Sequence, residues 1–154
     1  MSLVALKQVT KDYPMGEITV QALTNVNLKI DERSFISFVG PSGSGKTTLL
    51  NLIGCLDKPS SGEVFVNGTA VMHFTNKEAA KFRGQHLGFI FQNFNLLPVL
   101  TAYENVEYPL LMVQNVPLNR RRERVKYYLD AVGMFDQKDK YPSQLSGGQK
   151  QRIA

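Results

Sequence analysis

Cysteine and long apolar runs are scarce in this sequence, and both absences limit what the protein can be. The 154 residues contain one cysteine, Cys55, so an internal disulfide is excluded and a reducing compartment is indicated. No apolar run approaches the length that a helix needs to cross a bilayer. The first residues lack the basic start and apolar centre of a signal peptide. Without internal repeats or low-complexity segments, a chain of this length is expected to form one domain.

The net charge of +5 is concentrated in one stretch. Residues 118–126 contain Arg120, Arg121, Arg122, Arg124 and Lys126 against a single acid, Glu123. Such a run is compatible with binding of nucleic acid or acidic lipid. The same segment also contains an apolar stripe at helical spacing, made up of Val125, Tyr128, Leu129 and Val132. This stripe favours an amphipathic helix, in which the basic residues form the solvated face. We therefore expect no nucleic-acid partner, and a basic surface near a membrane or a protein partner is the alternative.

Residues 40–47 match the pattern G-x-x-x-x-G-K-[ST] of a phosphate-binding loop, or P-loop. The preceding run, 34–39, is rich in β-forming residues and is predicted to be a strand. The following run, 49–56, is apolar and is predicted to continue a helix that begins near Lys46. Strand, glycine-rich loop and helix are the context that the motif requires. A dinucleotide-binding loop is disfavoured because Thr48 stands where its third glycine would be.

The residue types of this loop suit a bound phosphate. Glycines at 40, 43 and 45 allow the backbone N–H groups to turn toward an anion. The start of the helix adds the positive end of its dipole. Lys46 can reach the β- and γ-phosphates, and the Thr47 hydroxyl can bind Mg²⁺. The sequence therefore predicts a phosphate-binding site that can also hold a magnesium ion.

A second motif, Leu145-Ser146-Gly147-Gly148-Gln149, opens another predicted helix. A serine followed by two glycines combines a hydroxyl, backbone N–H groups and a helix dipole end, which suits an anion. Alone, these residues are equally typical of an ordinary serine N-cap beside a glycine turn. Their position about a hundred residues after the P-loop favours a second phosphate site.

The rest of the pattern predicts an antiparallel β region before the P-loop, with hairpins rather than helical crossovers. The predicted strands are 3–9, 18–30, 34–39, 63–68 and 87–91. Capping boxes at Thr75 and Thr101 mark the starts of two helices. The run 87–91 is predicted to be buried and to end at Gln92.

With these motifs the chain resembles the ATP-binding-cassette (ABC) ATPases, the nucleotide-binding subunits of ABC transporters, over all 154 residues. The loop around Lys46 corresponds to the family's Walker A motif, and residues 145–149 correspond to its signature motif. The resemblance implies that Tyr13 stacks on adenine. It also implies that Gln92 contacts Mg²⁺ and the attacking water. Two further stretches, 16–23 and 52–63, are most similar to the lipoprotein-releasing and macrolide-exporting branch.

The resemblance implies an α/β fold of the P-loop NTPase class. This is an ABC-type core with an antiparallel β front and a helical subdomain, lacking the C-terminal Walker B half. The implied parts of this single, incomplete domain are an ATP-binding core with a β subdomain (1–86), the Q-loop and helical subdomain (87–144), and the signature motif with the start of its helix (145–154).

Site residues are implied by the same resemblance. The catalytic residues are Lys46 and Gln92, and the Mg²⁺ ligands are Thr47 and Gln92. The residues implied to bind ATP in the same chain are Tyr13, Gly40, Pro41, Ser42, Gly43, Ser44, Gly45, Lys46, Thr47 and Thr48. Those implied to bind the ATP of a second subunit are Ser146, Gly147, Gly148 and Gln149.

The implied function is to couple ATP binding and hydrolysis to export or lipoprotein release. The implied partners are transmembrane permease subunits and a second ATP-binding subunit in a head-to-tail dimer. The implied location is peripheral, at the cytoplasmic face of the cell (inner) membrane. Alternatives are a nucleotide-binding fragment without catalysis and an ABC ATPase acting outside transport. A small-molecule kinase is disfavoured by the signature motif.

The sequence departs from the family pattern at its end, five residues after the signature motif. Family members continue with a Walker B strand ending in Asp and Glu, and then with a switch histidine. A substitute in 28–32 is disfavoured because Lys29 interrupts the apolar run that a buried central strand needs. We therefore expect this chain by itself to hydrolyse little ATP, since phosphoryl transfer depends on a positioned water and metal.

Overall fold

The computed structural model describes residues 2–154, which fall into two compact units divided between Leu87 and Gly88. The first unit contains a β-sheet and two helices, and the second unit is helical. Within the described range, no helix is both long and apolar enough to cross a membrane.

The sheet of the first unit has four antiparallel strands in the order β2-β1-β3-β4. They are β1 (Ser2–Met15), β2 (Ile18–Asp31), β3 (Ser61–Val66) and β4 (Thr69–Ala70). In the hairpin of β1 and β2, Met15 pairs with Ile18, and Gly16 takes the φ of +65° that this tight turn requires. The predicted antiparallel region is confirmed, and β4 lies outside the predicted strands.

Two helices belong to the first unit, α1 (Lys46–Ile53) and α2 (Asn76–His86). α1 begins as predicted but ends before Cys55, which is buried in the turn that follows rather than in the helix. The predicted capping box at Thr75 is present, with Glu78 as its partner. The buried residues that form one core between sheet and helices are Val4, Leu6, Val9, Leu23, Leu52, Cys55, Val64, Val66, Val71 and Phe82.

The prediction of strands at 34–39 and 87–91 is wrong. Both runs are irregular in the described residues, 2–154. The side chains of Phe35 and Ile90 are 99% and 85% exposed, although they were expected inside a sheet. A strand needs a hydrogen-bonded neighbour to satisfy its backbone. None of the four strands in the described residues lies beside either run, so the β-forming composition alone does not produce a strand.

The second unit contains α3 (Ala102–Met112), α4 (Leu118–Ala131) and α5 (Gly147–Ile153), with short 3₁₀ turns at Phe135–Gln137 and Pro142–Gln144. The predicted capping box at Thr101 is present, with Glu104 as its partner. The buried residues that form the core of this unit are Ala102, Leu110, Val125, Leu129, Met134, Leu145 and Ile153.

α4 is the amphipathic basic helix predicted from the charge run. Of its predicted apolar stripe, the buried members are Val125 and Leu129, and the exposed members are Tyr128 and Val132. Arg121 does not belong to the solvated face, because its Nε lies 2.7 Å from Oε1 of Glu107 in α3. The buried stripe is therefore narrower than predicted, and one of the five basic residues supports the packing of α3 against α4.

Candidate functional site

The P-loop forms a tight turn between an irregular segment and α1. Gly43 and Gly45 have φ of +81° and +83°, in the left-handed region that glycine adopts at little steric cost. The Ser44 N–H donates to the carbonyl oxygen of Pro41 at 3.3 Å. The loop predicted from the sequence is therefore formed, although the strand expected before it is not.

Gly45 is required for a second reason, which is the close approach of β2. A Cβ atom at this position would lie 2.6 Å from the carbonyl oxygen of Ala22 and 2.8 Å from Cδ2 of Leu23. At Gly43 a Cβ atom would meet nothing within 4 Å. Gly45 thus seats the loop against the sheet, whereas Gly43 provides only the backbone conformation.

Lys46 places its charge inside the loop. Its Nζ donates to the carbonyl oxygens of Gly40 at 2.9 Å and Pro41 at 2.6 Å, and to the Oγ of Ser44 at 3.2 Å. These three oxygens match the three protons of an ammonium group. The arrangement holds a positive charge at the place where the loop can receive an anion.

The start of α1 carries no side-chain cap. Its N-cap residue is Gly45, whereas Thr75 and Thr101 cap α2 and α3 with their hydroxyl oxygens. The first N–H groups of a helix lack partners within the helix and carry the positive end of its dipole. At α1 no side chain competes with a ligand for these groups, which fits the phosphates of ATP.

The residues predicted to bind Mg²⁺ offer oxygen atoms of the kind that this ion prefers. Thr47 is exposed in the first turn of α1, and Gln92 is exposed in the second unit. In residues 2–154 there is no group of three or more His, Cys, Asp and Glu side chains that could hold a metal ion. Mg²⁺ is usually bound by one or two protein oxygens together with nucleotide phosphates, and the Thr47 hydroxyl is an oxygen of this kind at the start of α1.

An open pocket of about 480 Å³ adjoins the P-loop. It is bounded by Leu23 of β2, by residues 37–41, and by the start of α1 with Lys46 and Leu49. Its volume falls within the roughly 300–1,000 Å³ of ordinary small-molecule sites. The first unit thus combines a phosphate cradle with room for a ligand.

Tyr13 lies in a cluster of polar side chains with Lys11 and Asp57. Its hydroxyl donates to Oδ2 of Asp57 at 2.8 Å, and Nζ of Lys11 donates to Oδ1 of Asp57 at 2.7 Å. The same Nζ lies 4.7 Å from the centroid of the Tyr13 ring. These contacts fix both the end and one face of the ring.

The cluster shifts the pKa values of two of its members. Burial raises the pKa of the Tyr13 hydroxyl, and its hydrogen bond to the Asp57 carboxylate raises it further. Burial also acts to raise the pKa of Asp57. Hydrogen bonds from Lys11, Tyr13 and the Lys58 backbone outweigh that effect, so the pKa of Asp57 lies below its usual value. Asp57 is therefore a stable carboxylate at neutral pH.

Sequence reasoning missed Lys11 and Asp57 as partners of Tyr13. The alternation of a strand signals Lys11, because residues two apart share one face of β1. No local pattern signals Asp57, which is 46 residues from Lys11 along the chain. Only the packing of the turn after α1 against β1 brings it there.

Gln92 and the signature motif belong to the second unit. Gln92 lies in an exposed turn after Phe91. Ser146 is the N-cap of α5, and its Oγ accepts from the Gln149 N–H at 3.3 Å. Oε1 of Gln149 accepts in return from the Ser146 N–H at 2.8 Å. The predicted helix start is confirmed, and the capping box with Gln149 adds to it.

Comparisons with family models and with known proteins agree on one family. Residues 23–154 match the family model described as ABC transporter. An uncharacterized ABC transporter ATP-binding protein, MJ0796 of Methanocaldococcus jannaschii, is 47% identical over an alignment of 156 positions that covers 99% of this chain and 66% of that protein. The macrolide export ATP-binding/permease protein MacB of Syntrophobacter fumaroxidans is 44% identical to this chain. The alignment covers all of this chain and 22% of MacB.

A solved structure agrees with the sequence relatives. The dimeric post-hydrolysis state of the ATP-binding cassette MJ0796, bound to ADP and Pi, superimposes with a TM-score of 0.90 at 48% identity. The alignment covers 97% of this chain and 66% of that one. The chain thus spans about two thirds of the length of MJ0796. The predicted ABC-type fold is confirmed, and the chain belongs to the ABC transporter family of ATP-binding proteins.

Proposed function

We propose that this chain is the ATP-binding part of the energising subunit of an ABC transporter, which couples ATP binding and hydrolysis to export or lipoprotein release. The observation that carries the proposal is the start of α1. It is a helix start without a side-chain cap, wrapped by a glycine loop that holds the Lys46 ammonium. In a chain of the ABC family, this is the arrangement suited to nucleotide phosphates.

In this proposal the phosphates of ATP lie against residues 40–48, with Lys46 neutralising their charge. Thr47 and Gln92 are the protein ligands of Mg²⁺, which when bound offsets the charge of the phosphate oxygens. Tyr13 stacks on the adenine ring. The support for this last role is that its ring is anchored in the same unit as the P-loop.

The proposed partners are a second ATP-binding subunit and transmembrane permease subunits. The similar MJ0796 cassette was solved as a dimer, and the similar MacB protein is named as an ATP-binding/permease protein. We propose a head-to-tail dimer in which Ser146, Gly147, Gly148 and Gln149 of one subunit contact the ATP held by the P-loop of the other. The proposed location is peripheral, at the cytoplasmic face of the inner membrane.

Hydrolysis by the 154-residue chain is proposed to be negligible, although the chain binds ATP. The described residues contain Lys46 and Gln92 as candidates for the reaction. We expect no counterpart of the family's Walker B carboxylates and switch histidine among these 154 residues. Without the Walker B and switch residues, only part of the set that positions the water and the metal is present, so phosphoryl transfer is expected to be slow.

Binding and turnover are to be measured on one sample of the 154-residue chain. Isothermal titration calorimetry with ATP and Mg²⁺ is expected to show binding, and a phosphate-release assay is expected to show none above background. Lys46→Ala is expected to weaken ATP binding by about ten- to a hundredfold, because a hydrogen bond to a charged group is worth roughly 1.5–3 kcal/mol.

Lys29→Ala is the matched control, since Lys29 is an exposed lysine of β2 whose only ion pair is with the nearby Asp31 in the described residues. Its ATP affinity is expected to match that of the unaltered chain. Equal affinities of the Lys46→Ala and unaltered chains would refute the ATP site. Turnover that disappears in Lys46→Ala would refute the claim that the chain alone does not hydrolyse ATP.

A further inference from the structure

The cluster of Lys11, Tyr13 and Asp57 is more than a surface ion pair. The side chains of Lys11 and Asp57 are only 12% and 29% exposed, and Nζ and Oδ1 are 2.7 Å apart. Nζ of Lys11 also donates to the carbonyl oxygen of Lys58 at 2.8 Å. A partly buried, charge-assisted pair with a further hydrogen bond is ordered more strongly than the exposed pairs of the sheet.

Asp57 holds the Tyr13 ring at two points. One carboxylate oxygen accepts from the Tyr13 hydroxyl, and the other accepts from the lysine whose Nζ lies over the ring. A tyrosine near the end of a strand otherwise turns about its two side-chain torsions. With the hydroxyl fixed and one face covered by Lys11, the ring is held in one orientation, and a flat partner could stack only on the face that Lys11 does not cover.

The cluster also connects the ring with the phosphate loop. Asp57 lies in the turn that directly follows α1, and α1 begins at the P-loop. The orientation of the ring is therefore tied to the helix that starts at the phosphate cradle.

We propose that Asp57, acting through Lys11 and the Tyr13 hydroxyl, is a positioning residue for recognition of the nucleotide base. It presents one face of the Tyr13 ring for stacking and so gives preference to a nucleoside triphosphate over a base-free polyphosphate. This inference rests on the proposed function, in which ATP occupies the P-loop and Tyr13 stacks on adenine. The physical basis is preorganisation, because a ring that is already oriented loses less freedom when the base binds.

The sheet contains a matched control for this cluster. Lys7 lies 4.8 Å from the centroid of the Phe65 ring and 3.8 Å from Oε2 of Glu63, so it repeats the combination of lysine, aromatic ring and carboxylate. Both charged side chains of this pair are more than half exposed. Glu63→Gln therefore removes a carboxylate from a comparable group of side chains without touching Tyr13.

The test compares the affinities of ATP and inorganic tripolyphosphate for the 154-residue chain, at one Mg²⁺ concentration and by calorimetry. Asp57→Asn and Tyr13→Phe are each expected to weaken ATP binding by about three- to tenfold. This loss is a part of the binding free energy that stacking of a base on an aromatic ring contributes. Both variants are expected to bind tripolyphosphate as the unaltered chain does. Glu63→Gln is expected to bind both ligands normally.

Three other outcomes would contradict the proposal, and they show whether the positioning role of Asp57 or the proposed function is wrong. If Asp57→Asn binds ATP normally while Tyr13→Ala loses affinity, the positioning role of Asp57 is wrong and the proposed function stands. If Asp57→Asn weakens both ligands equally, its effect is on the P-loop and the positioning role is wrong. If the unaltered chain binds neither ligand, or if Lys46→Ala binds both normally, the proposed function fails and the inference falls with it.

Discussion

The starts of α1 and α5 both contain glycines, but they differ in how the helix is capped. At α1 the N-cap is Gly45 and no side chain caps the helix, while the Lys46 ammonium lies in the loop. At α5 Ser146 and Gln149 form a reciprocal capping box. The basic residues of α5 are in its last turn, not its first. One helix start is thus left to a ligand, and the other is satisfied by its own residues.

This difference suggests a division of labour between the two motifs. A helix start with free N–H groups and an adjacent ammonium can bind phosphate by itself. A start whose hydroxyl already accepts a backbone hydrogen bond, with no positive side chain beside it, offers less to an anion. We infer that the P-loop determines the ATP affinity of the single chain. In the proposed dimer, the signature motif would then add contacts only to a phosphate that the other subunit already holds.

The largest effect that separates the two helix starts is expected at Gly45. Gly45→Ala is expected to lower the free energy of unfolding by about 1–3 kcal/mol, because alanine is strained at a φ of +83° and its Cβ would meet the Ala22 carbonyl. Gly43→Ala has the same backbone strain without a neighbouring atom, so its cost is expected to be smaller. Urea unfolding followed by circular dichroism measures both. Equal costs for the two variants would show that contact with β2 does not constrain the loop.

A smaller effect is expected at the start of α5. Ser146→Ala is expected to cost about 1 kcal/mol, the usual loss when an N-cap hydroxyl is removed, and to leave ATP affinity of the single chain unchanged. Ser143→Ala serves as the control, because Ser143 is an exposed serine that caps no helix in the described residues. The same urea and calorimetric measurements apply. A marked loss of ATP affinity in Ser146→Ala would contradict the division of labour between the motifs.

The smallest expected effect is the pH dependence of the capping boxes. The boxes of α2 and α3 are expected to weaken in acid, whereas the box of α5 is not. Backbone and side-chain hydrogen bonds from Thr75 and Thr101 lower the pKa of Glu78 and Glu104 below the usual 4.5. A lowered pKa in the folded chain means that these boxes are fully stabilising above pH 4.5. Their contribution is lost as the pH falls through the lowered values. Gln149 does not titrate, so the α5 box is expected to be unaffected.

Amide hydrogen exchange or NMR between pH 6 and about pH 3 can follow the first turns of the three helices. The starts of α2 and α3 are expected to fray toward the acid end, and the start of α5 is expected to keep its protection. Fraying of all three starts together would mean that global acid unfolding dominates, and it would contradict the local role of the two glutamates.

Several elements were predictable because their causes are local. Antiparallel pairing in the first unit was predicted from alternation, although the first strand was predicted to end at Val9 and in fact runs to Met15. α2 and α3 begin at the threonines that were recognised as N-caps. The P-loop was predictable because glycines at fixed positions allow the positive φ that the loop needs, which other residues adopt only at a cost. Sequence reasoning failed for 34–39 and 87–91, where the outcome depends on whether another strand lies alongside.

The amino-acid sequence by itself determined the P-loop, the helix caps and the family, since each motif that identifies them consists of residues close together in the chain. Only the tertiary structure decided which parts of the apolar pattern become buried, because burial depends on neighbours distant in sequence. It also placed Asp57 against Tyr13 and Lys11, across 44 and 46 residues of chain. A carboxylate in a turn has no local pattern that names its partner, and its role follows only from the surfaces that packing brings together.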